Sequence, residues 1–385
     1  MRLELPVPTQ VVFGRGTLDR VGAATAPWGG HALIVCGRTA MRRHGFLDRA
    51  EASLRAAGLT VTVFDRISAN PRSDEIDEAV ALARARSCDV VVGLGGGSAI
   101  DAAKAVAVAG PYDTVRDIIG QTLTVCPSAL PVVAVPTTAG SGSEVTKGAI
   151  VTDVVRGFKS GIRGDDVFPK VAVVDPDLTA PLPVPVAVET AFDALAHVIE
   201  GYVAARATEE SRAHARRAIV LIRDHLPLVA AGDTGHGTRE AMALAALLGG
   251  VNVACASTCL PHRLQQAMGA VRRTEIPHGR GLALLYPAWL RAAHPHATEG
   301  FADIATALGH DDVHQAVAAV LDTTGLASGL TDWGYTAQDI DTFVDGISGN
   351  LDNDPTPDVD TDLIRHVYTE SLDRRPVADG PSIDR

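Results

Sequence analysis

Three alternating prolines in Ala180-Pro181-Leu182-Pro183-Val184-Pro185 constrain this chain more than any other segment. Neither a helix interior nor a central strand tolerates such spacing, so an architecture must end or turn there. Before it, short apolar runs alternate with helical patterns. His31-Ala32-Leu33-Ile34-Val35-Cys36, Thr60-Val61-Thr62-Val63-Phe64, Val90-Val91-Val92 and Pro131-Val132-Val133-Ala134-Val135 read as buried strands. Between the second and third, Ile76, Val80 and Ala83 recur at helical spacing, with Ser73 placed as an N-cap. Strands separated by helices of this length predict a mostly parallel sheet covered on both faces. Beyond the prolines the texture is helical, as in Arg239 to Leu248 and Gln315 to Leu321. The expected organisation is α/β over residues 1–180 and all-helical over 181–385, with a solvated acidic loop from Asp352 to Asp362 and a frayed tail.

Chemistry first appears at Gly93-Leu94-Gly95-Gly96-Gly97-Ser98, followed by Asp101 and Lys104. The run follows a strand and opens a helix. Glycines there let backbone N–H groups approach a diphosphate, and a helix N-terminus favours its negative charge. Ser98 stands where the dinucleotide fingerprint G-x-G-x-x-G has its last glycine, so by itself the segment is also compatible with a tight turn. Pro136-Thr137-Thr138-Ala139-Gly140-Ser141-Gly142-Ser143-Glu144 follows the next strand and is dense in hydroxyls. Two such loops at the carboxyl edge of one sheet point to a dinucleotide crevice rather than to two surface loops.

A second constellation lies past the prolines. Asp193 and His197, four residues apart in an apolar helical stretch, share one helix face. An isolated pair of this kind is as readily a hydrogen-bonded Asp–His couple as a metal site. His262, in Leu260-Pro261-His262-Arg263-Leu264-Gln265-Gln266, and His278, in Ile276-Pro277-His278-Gly279-Arg280-Gly281, shift that balance. One carboxylate with three imidazoles suits a borderline divalent ion such as Fe²⁺ or Zn²⁺, with positions left for substrate.

Composition narrows the function classes. The formal net charge is −12 and no long Lys/Arg run occurs, so neither nucleic acid nor an anionic membrane is an expected partner. The five cysteines are odd in number and lack framework spacing, which favours a reducing, cytoplasmic location. Met1 to Pro8 has no apolar core of signal-peptide length, and no apolar run suggests a membrane span.

The motifs form one ordered set: Gly-Gly-Gly-Ser with Asp101 and Lys104, Pro-Thr-Thr-Ala-Gly-x-Gly-Ser-Glu, Asp-Pro-x-Leu-Thr over Asp175 to Thr179, Asp-Ala-Leu-x-His-x-Ile-Glu, and Pro-His-Gly. Together they resemble the iron-containing alcohol dehydrogenase family. The resemblance implies a fold shared with dehydroquinate synthase, an N-terminal Rossmann-like parallel-sheet domain followed by a C-terminal helical metal-binding domain. By motif match it assigns Asp193, His197, His262 and His278 to the metal. Gly95, Gly96, Gly97, Ser98, Asp101, Thr137, Thr138, Ser141, Thr146 and Lys159, with Asn70, go to the nucleotide side. It implies hydride transfer between a nicotinamide and the carbonyl carbon of an aldehyde or ketone, by a cytoplasmic homodimer.

Three departures from the family pattern individualise the chain. Gln266 stands where relatives commonly keep a further histidine near the substrate, and a glutamine cannot shuttle a proton near neutral pH. The segment from His262 to His278 is longer than usual and carries Arg272 and Arg273, read either as a solvated loop or as a lip for a small anionic aldehyde. The second strand ends Cys36-Gly37-Arg38, where NAD-preferring relatives place an acidic residue. Gly37 removes that repulsion and Arg38 offers a cation, so NADP(H) is expected over NAD(H). Cys255 and Cys259, spaced as if on one helix turn near His262, read as core residues rather than a zinc site. Two other readings share the fold: a dehydroquinate synthase-like lyase or cyclase using NAD transiently, and a non-catalytic nucleotide-binding relative.

Overall fold

The computed structural model describes residues 5–271 and 275–373. Its first half is a six-stranded parallel sheet in the order β1-β8-β5-β4-β2-β3. The strands are β1 (Gln10–Phe13), β2 (His31–Gly37), β3 (Thr60–Ile67), β4 (Val90–Gly95), β5 (Val132–Pro136) and β8 (Val171–Val174), while β6 (Gly148–Asp153) and β7 (Phe158–Arg163) form a separate antiparallel hairpin. The helices of this half are α1 (Val21–Thr25), α2 (Ala40–Arg43), α3 (Phe46–Ala56), α4 (Ser73–Ala85) and α5 (Gly97–Ala109).

Strand periodicity assigns the two faces. Leu33, Val35 and Val91 point into a core with Ile76 and Ala79 of α4 and Ala102 and Val106 of α5. Their alternating neighbours Ala32, Ile34, Val90 and Val92 pack with Leu47, Ala50 and Leu54 of α3 on the opposite face. Both faces are covered, which is why these strands are apolar throughout. Helix α4 begins at Ser73 with Arg72 as its N-cap. Ser73 therefore does not cap, contrary to the expectation from sequence; its hydroxyl instead accepts from the Val154 backbone.

After β8 a short 3-10 turn (Pro176–Thr179) leads to α6 (Val184–Val203), where Pro185 sits in the first turn, a position that needs no N–H partner. Further helices are α7 (Glu209–Ala230), α8 (His236–Ala256), α9 (Leu260–Ala267), α10 (His278–Ala293), α11 (Thr298–Leu308), α12 (Val313–Thr324), α13 (Ile340–Asp345) and α14 (Thr361–Glu370). Helix α6 is buried from Val188 to Val203, apart from Thr190, and forms the axis of the helical core. Helix α8 is long and apolar enough to cross a membrane, with a mean hydropathy of 1.3, but 61% of that stretch is buried inside the protein. Its length reflects an interior position.

Cys255 and Cys259 do not share a helix turn, contrary to their spacing in sequence. Cys255 lies in the last turn of α8, whereas Cys259 lies beyond Ser257, whose φ of 64° breaks the helix, and caps α9. The acidic stretch after Asp352 is not simply solvated. Asp354 accepts hydrogen bonds from the Leu260 backbone and the Trp289 indole, each at 2.9 Å, and Asn353 donates to the carbonyls of Ala256 and Thr258. This segment clasps the start of α9 because it supplies acceptors that buried donors need.

Candidate metal centre and nucleotide crevice

Helix α6 sets Asp193 and His197 one turn apart on a buried face. Helices α9 and α10 add His262 and His278. Their approach to α6 depends on a glycine: a Cβ on Gly279 would lie 1.9 Å from the Glu189 carbonyl oxygen. Asp193 Oδ1 then stands 3.6 Å from His197 Nε2, 3.6 Å from His262 Nε2 and 3.4 Å from His278 Nε2. These separations exceed ordinary N–H···O bonds, which run about 2.7–3.2 Å. They match two ligands each about 2.1 Å from a shared ion at a tetrahedral angle, which lie roughly 3.4 Å apart. Donor atoms of Asp193, His262 and His278 all lie within 4.8 Å of one another. His197 flanks that set and stacks on His262, with ring centroids 4.6 Å apart. Asp193 Oδ1 and His262 Nε2 are buried without a hydrogen-bond partner among the described residues, as expected of atoms facing an ion.

Electrostatics is dominated by burial. Desolvation lowers His197 to about 4 and also lowers His278. His262 resists the same burial, because the Glu200 and Asp193 carboxylates hold it up to about 9. Burial works against ionised Asp193 as well, yet the surrounding imidazoles hold its carboxyl well below the usual range. Two side chains to which the sequence reading gave no role touch the Nδ1 atoms of His262 and His278. Both Glu200 oxygens lie 2.8 Å from His262 Nδ1, and Gln265 Oε1 lies 2.5 Å from His278 Nδ1. Glu200 follows Asp193 by two helix turns, a spacing visible in sequence; Gln265 depends on how α10 folds back, which is not. Gln266 is 6% exposed and its Oε1 has no hydrogen-bond partner among the described residues. Arg272 and Arg273, read as a possible anion lip, lie outside the described residues.

Residues 8–176 match the iron-containing alcohol dehydrogenase profile, and residues 187–364 match the C-terminal profile of the same family. The chain belongs to the iron-containing alcohol dehydrogenase family. An NAD-dependent methanol dehydrogenase from Bacillus methanolicus is 32% identical across 87% of this chain and 90% of its own length. A 1,3-propanediol dehydrogenase from Citrobacter freundii is 31% identical across 79% of each. The crystal structure of an archaeal alcohol dehydrogenase from a Red Sea brine pool superposes with a TM-score of 0.90 at 29% identity, covering 97% of this chain and 99% of that one. Like these relatives, this alcohol dehydrogenase family member is an oxidoreductase acting on CH–OH groups.

In this dehydrogenase the nucleotide-side motifs meet where the strand order reverses. Strand β2 leads outward to β3, and the chain then returns to place β4 on the other side of β2, so the loops after β2 and β4 open a crevice. Gly37 ends β2, and Gly95 ends β4 with a φ of 150°. The two motif loops interlock. A Cβ on Gly96 would meet Thr138 at 3.2 Å, and one on Gly97 would meet the Ser141 hydroxyl at 2.5 Å. The Thr137 backbone donates to the Gly95 carbonyl, and Ser98 donates to the Ala69 carbonyl. Lys159, on β7, donates to Asn70 Oδ1 at 2.9 Å, and burial pulls its ammonium pKa down against the opposing pull of Asp101 and Asp193.

Asp101 is engaged from within the protein, accepting from the Ser143 hydroxyl and the Ile150 backbone. Lys104, which the motif reading left without a role, is wholly buried behind this loop. Its ammonium donates to the Ser143 carbonyl at 2.9 Å, to the Ser143 hydroxyl at 3.0 Å and to the Thr146 hydroxyl at 3.1 Å. Arg38 pairs with Glu75 at 3.1 Å while remaining 65% exposed, and Arg42 is committed to Asp65.

Proposed function

We propose that this chain is a metal-dependent aldehyde or ketone reductase, equally an alcohol dehydrogenase, that uses NADP(H) in preference to NAD(H). The observation that carries this reading is the convergence of three imidazole Nε2 atoms on one carboxylate oxygen at 3.4 to 3.6 Å, beside a glycine-lined crevice. Asp193, His197, His262 and His278 would hold the ion, Fe²⁺ by family and Zn²⁺ by donor chemistry. Such an ion supplies Lewis-acid polarisation of the substrate oxygen, and a reduced nicotinamide supplies the hydride.

The protein's own part is positional and electrostatic. Glu200 sets the orientation of the His262 imidazole. His278 is the exposed member, its side chain 33% accessible against 8% or less for the other three, so substrate approaches from its side. Gln266 Oε1, buried and without a hydrogen-bond partner among the described residues, is poised to accept a hydrogen bond from a substrate hydroxyl, but an amide does not take up or release a proton near neutral pH. The interlocked glycine and hydroxyl loops would cradle the diphosphate, with Lys159 at the metal end.

The preference for NADP(H) is supported by Gly37, which brings no carboxylate to the end of β2, and by Arg38 beside it, which is 65% exposed while paired with Glu75. Steady-state kinetics with both cofactors test it: kcat/KM is expected to favour NADPH, and a clear preference for NADH removes the proposal. Arg272 and Arg273 fall in sequence between His262 and His278, which makes small anionic aldehydes the substrate class to compare with neutral ones. Equal turnover of both would remove that refinement.

A further inference from the structure

The two histidines from α9 and α10 are braced unequally. His262 Nδ1 faces a carboxylate, Glu200. His278 Nδ1 faces a neutral amide, Gln265. We propose that Gln265 is a positioning residue that fixes the tautomer and orientation of His278 and thereby sets how firmly the cleft side of the centre retains its ion. This rests on the reading of Asp193, His197, His262 and His278 as the ligand set.

A histidine that coordinates through Nε2 must carry its proton on Nδ1, and that proton needs an acceptor. His278 opens α10, and its Nε2 points toward Asp193 at 3.4 Å. Gln265 Oε1, at 2.5 Å from Nδ1, is the acceptor. The amide is held from two directions. Gln265 is 4% exposed and follows His262 by three residues, so α9 carries one ligand and the brace of another. It lies across the first turn of α10 only because residue 281 is glycine: a Cβ there would come within 2.9 Å of Gln265 Cγ and 3.0 Å of its Nε2. A charged acceptor strengthens its histidine as a donor more than an amide does. His278, the most exposed of the four, therefore also has the weaker brace.

The test measures Zn²⁺ retention by the metal-stripped full chain in competition with a chromophoric chelator, independent of turnover. Gln265→Met, of similar shape but without an acceptor, and Gly281→Ala, which displaces the amide, should each weaken retention about 10- to 100-fold. Combining them should add little, because both remove the same hydrogen bond. Gln265→Glu, which keeps an acceptor and adds charge, should retain Zn²⁺ at least as well as the parent. Should Gln265→Met not fold, Gln265→Asn, too short to reach Nδ1, takes its place. If the acceptor-less variants hold Zn²⁺ as tightly as the parent while His278→Ala loses it, the brace is refuted and the ligand set stands. If His278→Ala itself retains Zn²⁺ unchanged, the ligand reading fails instead.

Discussion

At the residue scale, the centre works by opposing burial with charge. His262 would be driven neutral by its surroundings, but Glu200 and Asp193 hold it up to about 9, so the metal-free protein keeps it protonated at neutral pH. Its stabilising contribution is thus present below the ordinary histidine pKa and lost as pH rises through about 9. A protonated Nε2 cannot ligate, so loading Zn²⁺ or Fe²⁺ near pH 7 should release close to one proton from this residue, and affinity should climb with pH toward 9. Calorimetry in buffers of differing ionisation enthalpy measures the release. Identical heats in all buffers would contradict this account of His262.

At the scale of elements, glycines and buried charges decide how closely pieces approach. Helix α10 reaches α6 because Gly279 has no side chain against the Glu189 carbonyl. Gly279→Ala must push His278 away from Asp193, costing about 1–3 kcal/mol of stability and reducing metal content; denaturant unfolding and metal analysis check both. In the hydroxyl loop, burial raises Glu144 to about 7. Its folded pKa lies above its unfolded one, so it favours the fold below about 4.5 and loses that contribution as pH rises through about 7. Glu144→Gln should therefore gain stability over the parent at pH 8 and show little of that gain at pH 4.5, compared by denaturant unfolding at each pH.

Much of this was legible in the chain. Apolar runs such as His31 to Cys36 announce strands buried on both faces, and the four proposed ligands stand in motifs with recognisable spacing. Strands β1 and β8, at four residues each, are too short for periodicity to mark them, and the β6–β7 hairpin has mixed polarity. Lys104 and Gln265 matter through contacts with Thr146 and His278, which no local pattern encodes.

At the scale of the whole molecule, segments distant in sequence hold the centre in place. Asp354 ties the start of α9, and through it His262, to Trp289 of α10. The acidic composition around it suggested solvent exposure, because sequence does not show which carboxylate meets buried donors. Asp354→Ala leaves the Leu260 N–H and the Trp289 indole unsatisfied, and should destabilise the fold by about 2–5 kcal/mol, read by thermal or denaturant unfolding. The central claim concerns the ion itself. The most direct measurement strips the protein of metal, then follows NADPH oxidation with an aldehyde while Fe²⁺ is added back anaerobically. Activity should be absent after stripping, return in proportion to added metal and saturate at a single equivalent per chain, with no recovery in His262→Ala. Full turnover by the metal-free protein, or by His262→Ala, would contradict it.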